Sequence, residues 1–368
     1  MSGLEHLSSR ERLVRACLNQ AVDRGVFFSE HYWSQTWERW LGEGMPPGFP
    51  FDYDFDFHSD CLGALGINIG FQPVFTVEVL QDDGATQVVR DQYGVVKRVF
   101  RDRPGQLQQF LEHPVSDRAS WERLAPRLAA RGDMPERLPP DWAARAARLN
   151  ASDQPVFFGG THLCGFFSFL RELTGENVYY LLHDDPGLMH EMLDFQTDRL
   201  IAMLRRVSRE AQLDGQFIWE DMCFKTGPLI GPRAFHDFLL EPYCRLIDAA
   251  KGCGVRVFYM DSDGNLDALL PLWLEAGVNA IEPFEVAAGM DVVAIKHRYG
   301  GRLAMVGGID KRALAAGRQA IDAEIERVRP TYELGGYLPC VDHSVPPDVS
   351  WDNFRYYLDR KRELVEKD

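Results

Sequence analysis

No run of eighteen apolar residues occurs anywhere in the 368-residue chain, so no segment reads as a membrane-crossing helix. No basic stretch followed by an apolar one opens it, so an export signal is not expected and a cytoplasmic protein is. Positive charge is scarce: 40 Lys and Arg stand against 55 Asp and Glu, a formal net charge of −15. Nucleic acid and anionic membranes both demand clustered cations, so neither is expected as a partner. Cysteine is sparse and scattered, seven residues with no CxxC pair, which argues against a disulfide framework or a thiolate zinc knuckle. Neither GxGxxG nor GxxxxGK[ST] follows a predicted strand, so a dinucleotide or ATP site has no sequence support.

What is present is enough apolar material for a large core: 45% hydrophobic against 26% charged residues. From residue 154 onward, short apolar runs alternate with helical stretches. The runs are "PVFFGG" (155–160), "QFIWED" (216–221), "VRVFYMD" (255–261), "NAIEPF" (279–284), "RLAMVGG" (302–308) and "GYLPCVD" (336–342). Such a rhythm predicts an α/β fold of parallel strands covered on both faces, with crossover helices between them. With "VFFSE" near the start the runs make seven strands, one short of an eightfold barrel. Before them, alternation around Asp83-Gly84 and Tyr93-Gly94 predicts an antiparallel β-hairpin excursion at about 72–105 inside a single domain of residues 1–368. The acids on those hairpin tips read as solvated turns.

In a barrel of this type function gathers where strands end. The predicted strand ends carry His162 and Cys164, Glu220 and Asp221, Asp261 and Asp263, Glu282, Asp310 and Lys311, and Asp342 with His343. One acid at a strand end is ordinarily a helix cap. Many acids in one mouth repel one another unless a cation lies among them. Asp261, Asp263 and His343 therefore form a candidate set of ligands for a divalent metal, with Glu220 a fourth ligand or a general base. The alternative is that Asp261 and Asp263 bind backbone amides in the turn that Gly264 closes. His183 and His190 stand at helical spacing among apolar residues and read as structural. Cys340, near His343, is the one cysteine placed like a nucleophile.

The stretches "WEDMCFKTGPLIGPRAF", "YMDSDGN", "GVNAIEPFEVAAGMDV", "GGIDKRAL" and "GGYLPCVDHSVPPDVSWDNFRYYL" resemble the uroporphyrinogen decarboxylase superfamily over most of residues 10–365. The resemblance implies a distorted (β/α)8 barrel of the TIM type. It also implies either a porphyrinogen decarboxylase or a zinc-dependent methyltransferase that works with a corrinoid protein. The decarboxylases grip substrate carboxylates with a Met-Arg-Gln-Ala-Gly-Arg stretch, whereas the matching region here reads "GVFFSEHYWSQTWERW". The methyltransferases bind zinc through His-x-Cys-Gly and a later Cys. Those positions fall on Asp261, Asp263 and His343, a harder donor set that suits an oxygen substrate better than a thiol.

The reaction expected from this resemblance is transfer of a methyl group from an O-methyl small molecule, of the aryl methyl ether kind, to a corrinoid on a separate protein. Zinc or another divalent ion would serve as cofactor. Glu220 or Asp221 would orient water or protonate the departing oxygen. His162, Phe166, Phe167, Trp219, Glu282 and Phe284 would line the substrate pocket. The alternatives are a metal-free decarboxylase or lyase, and a noncatalytic binding protein on the same scaffold. The resemblance points to a homodimer, although no interface is legible in the sequence.

Overall fold

A computed structural model of the chain describes residues 6–50, 53–58, 63–101 and 108–366. Twelve strands are found among them. Four form an antiparallel sheet in sequence order: β1 (Glu78–Asp82), β2 (Thr86–Arg90), β3 (Val96–Phe100) and β4 (Gln108–Glu112). This is the expected excursion, extended by β4; residues 102–105 of the predicted range lie outside the described residues. At its first tip the Asp83 carboxylate accepts the N–H groups of Ala85 and Thr86, so that acid is a turn former.

The second sheet is wholly parallel. It contains β5 (Phe157–Phe158), β6 (Gly215–Trp219), β9 (Val257–Asp261), β10 (Ala280–Glu282), β11 (Ala304–Ile309) and β12 (Tyr337–Val341), in the spatial order β12-β11-β10-β9-β6-β5. A two-stranded hairpin, β7 (Cys223–Phe224) and β8 (Gly227–Pro228), follows β6. Each parallel strand reads as a continuous apolar run because it faces a separate core on each side. Phe157, Phe217, Val257, Tyr259, Ala280, Ala304, Val306 and Leu338 pack into one cluster inside the curved sheet. Their neighbours Ile218, Phe258, Met260, Ile281, Met305 and Ile309 belong to the larger cluster under the surrounding helices. Bulky rings from β5, β6 and β9 opposite alanines from β10 and β11 fill the interior without a pore.

The helix Ser9–Cys17 begins where Ser8 accepts the Glu11 N–H at 3.2 Å, and it sends Leu13, Val14 and Cys17 into the inner cluster. The chain after it, expected as the first strand, runs extended and makes single parallel bridges, Phe28 to Phe57 and Tyr32 to Val345. Segment 53–58 thus runs beside the first extended stretch through the single Phe28–Phe57 bridge, a neighbour the sequence did not reveal. It is held by Asp56, whose buried carboxylate accepts the Phe27 N–H at 2.8 Å and pairs with Arg12 at 2.6 Å and with Arg24. The Phe57 ring lies 6.0 Å from that of Phe157 on β5. The fold is α/β, of the TIM-barrel type, with hydrogen-bonded ladders joining six of its strands among the described residues. No helix of the described residues is long and apolar enough to cross a membrane.

Candidate metal centre

Four loops meet at the carboxyl ends of the strands, those after β9, β10, β11 and β12. Asp342, directly after β12, accepts the Val286 N–H at 2.9 Å and the Lys311 N–H at 3.1 Å, which ties the loops after β10 and β11 together. That clamp sets Glu285 opposite His343. From the loop after β9, Gly264 at φ +83 turns the chain and donates its N–H to Glu285 Oε2 at 3.1 Å. A side chain at Gly264 would meet the Phe224 carbonyl at 2.7 Å, so the turn admits only glycine. The turn brings Asp263 Oδ2 to 3.3 Å from His343 Nε2.

Asp263, Glu285 and His343 each offer a ligand atom, and the three atoms lie within 4.8 Å of one another. An ion bound at about 2.1 Å in tetrahedral geometry holds its donors about 3.4 Å apart, so the Asp263–His343 spacing is that of two ligands sharing one ion. Two carboxylates and an imidazole suit a divalent ion with an open fourth position. The residues therefore fit a metal. Lys311 Nζ lies 3.5 Å from Glu285 Oε1 and 3.5 Å from Asp342 Oδ1. Hydrogen bonding to Asp263 raises the His343 pKa against the opposing effect of burial.

The expected ligand set needs one correction. Asp261 is not in the group of three. It is the last residue of β9 and continues the inward alternation of Val257 and Tyr259, pairing across the sheet with Glu282. Burial pushes its carboxyl well above the usual range, with Glu282 and Asp263 adding to the effect. Glu282, itself 7% exposed, accepts the Tyr259 hydroxyl at 2.7 Å, and burial raises its pKa as well. Glu285 was missed from sequence. The available signal was its place three residues beyond Glu282, in a loop that must reach the same rim.

A second correction concerns Glu220. Its carboxylate accepts the N–H groups of Phe166 (2.6 Å), Phe167 (3.3 Å) and Ser168 (2.8 Å) and the Tyr243 hydroxyl. Both oxygens are committed to the start of the helix Phe167–Thr174, at 1% exposure, so Glu220 is a buried cap and not an acid or base open to substrate. Glu220→Gln is expected to cost about 1–3 kcal/mol of stability, measured by urea unfolding, while activity per folded molecule stays unchanged. Asp221 is more open and pairs with Arg171 at 2.6 Å.

Phe166, Phe167 and Phe284 are also displaced from their expected role. All three are fully buried in the outer core, Phe166 edge-on to Tyr243 at 4.7 Å, and none is in the wall of the cavity that His162 and Trp219 line. His162 and Trp219 do line a cavity of about 1100 Å3, which lies between the antiparallel sheet and the loops after β5 and β6. Asp263, Glu285 and His343 are not among its walls, so it adjoins the mouth through Trp219, the neighbour of Asp261 across the sheet. Cys340 is buried and bonded to Lys361, and burial pushes its thiol well up, which does not suit a nucleophile.

Gly264→Ala is expected to weaken divalent-ion binding by about 10-fold or more, because the added carbon displaces the turn that presents Asp263. Calorimetric titration with zinc or manganese measures it.

A parallel α/β barrel with ionisable groups gathered at the strand ends defines the class: a TIM-type scaffold with its site at the carboxyl face. A sequence model of the family described as uroporphyrinogen decarboxylase matches residues 167–364, and the chain belongs to that family. Among curated proteins it is 27% identical over 194 residues to the uroporphyrinogen decarboxylase of Azotobacter vinelandii, covering 50% of each chain. It is 26% identical over 193 residues to that of Pseudomonas fluorescens, again 50% of each. The chain thus spans about half the length of the curated relatives it matches. Among solved structures, a methyltransferase from Methanosarcina mazei superposes with a TM-score of 0.60 at 14% identity, over 97% of this chain and 99% of that one. That likeness speaks for the fold.

Proposed function

We propose that this chain is a metal-dependent methyltransferase that takes a methyl group from an O-methyl compound, of the aryl methyl ether kind, and passes it to a corrinoid carried by a separate protein. The observation that carries this reading is the Asp263–Glu285–His343 group, whose donor atoms lie within 4.8 Å of one another at the mouth. A divalent ion bound there would supply Lewis acidity toward an oxygen of the substrate. Asp263, Glu285 and His343 would hold it. The Asp342 carboxylate fixes the two loops behind Glu285, and the Gly264 N–H fixes Glu285 itself. Lys311 offsets the charge of Glu285 and Asp342. When the C–O bond breaks, its electron pair stays on oxygen and the methyl group leaves for the external nucleophile.

The curated relatives favour a second reading, decarboxylation of a porphyrin polycarboxylate. Against it stand the Asp263 and Glu285 carboxylates at the mouth, which would repel such a substrate. The deciding experiment supplies metal-loaded protein with phenyl methyl ethers and a reduced corrinoid protein, and follows methylation by the corrinoid absorption spectrum. Transfer that depends on the metal supports the proposal. Carbon dioxide release from uroporphyrinogen, with no transfer from any ether, overturns it.

A further inference from the structure

Lys311 stands against the ligand group without belonging to it. It opens the helix Lys311–Ala316 in the loop after β11, and its side chain is 20% exposed. Its Nζ lies 3.5 Å from Glu285 Oε1 and 3.5 Å from Asp342 Oδ1, long distances for ion pairs, so neither carboxylate holds it closely. The acid beside it does not compete, because the Asp310 carboxylate is engaged by Arg312 at 2.7 Å. The ammonium is therefore shared between Glu285, one of the three ligand residues, and Asp342, which is not among them.

Neither carboxylate depends on this ammonium for its place. Asp342 ties the loops together through the Val286 and Lys311 main-chain N–H groups, and both donors survive any change of the Lys311 side chain. Glu285 Oε2 is likewise held by the Gly264 N–H, which leaves Oε1 to face the ammonium. The charge, then, is what the side chain brings. A divalent ion at the ligand group and the ammonium would share one carboxylate, and each would weaken the other's hold on it. Less of the Glu285 negative charge would reach the ion, which leaves more Lewis acidity for an oxygen in the open position.

We propose that Lys311 competes with the divalent ion for the Glu285 carboxylate, so that the ion is held less tightly and polarises its open position more strongly. Lys311 is on this account a positioning residue that acts through Glu285. The proposal rests on the ion-binding part of the reading above and is independent of the methyl donor.

The sign of one effect separates this role from a structural one. A side chain that only braced the loops would loosen the ligand group when removed and weaken ion binding. A competing charge does the opposite.

The test is calorimetric titration of ion-free protein with zinc and with manganese, comparing the parent with four variants whose folding is checked by melting temperature. Lys311→Met is expected to bind the ion about tenfold tighter or more. Lys311→Gln, which keeps a hydrogen-bond donor without the charge, should shift affinity in the same direction, and it carries the test if the methionine variant does not fold. Lys311→Arg keeps the charge and should stay within about threefold of the parent. Arg312→Met removes an equal charge from the neighbouring, 64% exposed side chain and should leave affinity unchanged, which excludes net charge as the cause. Parent-like or weaker binding in the uncharged Lys311 variants, or equal tightening in Arg312→Met, overturns the proposal and leaves the ion site standing. No binding by the parent sinks the ligand group itself, and this proposal with it.

Discussion

Lys361→Met is expected to destabilise the fold by about 3–5 kcal/mol, the usual cost of removing one partner from a buried ion pair. Lys361 enters the barrel from the helix Trp351–Val365 and is fully buried. Its ammonium donates to Glu30, to the Phe28 carbonyl at 2.8 Å and to Cys340 Sγ at 3.5 Å. Glu30 in turn accepts the Val341 N–H at 2.9 Å and the Tyr357 hydroxyl at 2.7 Å. The pair thus binds the first extended segment to β12 and to the last helix, across the part of the ring where only single bridges run. Methionine would fill the space of the lysine stem but leave the Glu30 carboxylate buried without a cation. The double variant with Glu30→Gln should recover part of the loss, because no charge is then stranded.

The same pair sets a pH dependence. Burial alone would lower the Lys361 pKa, but Cys340 and Glu30 more than reverse it, and the net shift is upward. A raised pKa means stability that is fully present below the unfolded value of about 10.4 and is lost as pH rises through the folded one. The gap in urea midpoint between the parent protein and Lys361→Met should therefore hold constant near neutrality and narrow above about pH 10.5. A gap that stays the same in strong base would mean the ammonium charge contributes little.

His343→Ala is expected to abolish methyl transfer and to reduce divalent-ion affinity by more than the 10–100-fold that loss of an outer hydrogen-bonding partner costs. The imidazole is the one nitrogen donor of the group and stands 3.3 Å from Asp263. Without it, Asp263 and Glu285 would face each other as two carboxylates with only Lys311 nearby to balance them. The side chain is 28% exposed, so the fold should survive the substitution. Circular dichroism and melting temperature near those of the parent, together with lost ion binding, are the expected pair of results. Retained activity would place the chemistry elsewhere.

Much of the fold was legible because apolar runs flanked by turns mark strands covered on both faces. "NAIEPF" contains β10 at Ala280–Glu282, and "VRVFYMD" contains β9 at Val257–Asp261. The stretch that bridges Phe28 was hidden, since around Phe57 aromatic residues alternate with acids and its Asp56 serves as an anchor for two arginines. Of the expected ligand set the structure brings Asp263 and His343 together and adds Glu285 to them. A strand-end acid looks the same in sequence whether it turns toward the mouth or toward a helix start, so Glu220 could not be told from Asp263. Asp261 and Asp263 share a DxD motif, but the Gly264 turn sends only Asp263 to His343. Phe166 and Phe167 lie where the chain enters a helix, and that entry points them into the outer core.

The most direct measurement is the metal content of protein purified without chelator, compared among the parent, Glu285→Ala and Asp261→Ala. The ligand group described here requires about one divalent ion per chain in the parent, loss of that ion in Glu285→Ala and its retention in Asp261→Ala. An ion that survives Glu285→Ala but leaves with Asp261→Ala, or no ion in the parent even after incubation with zinc or manganese, would contradict it.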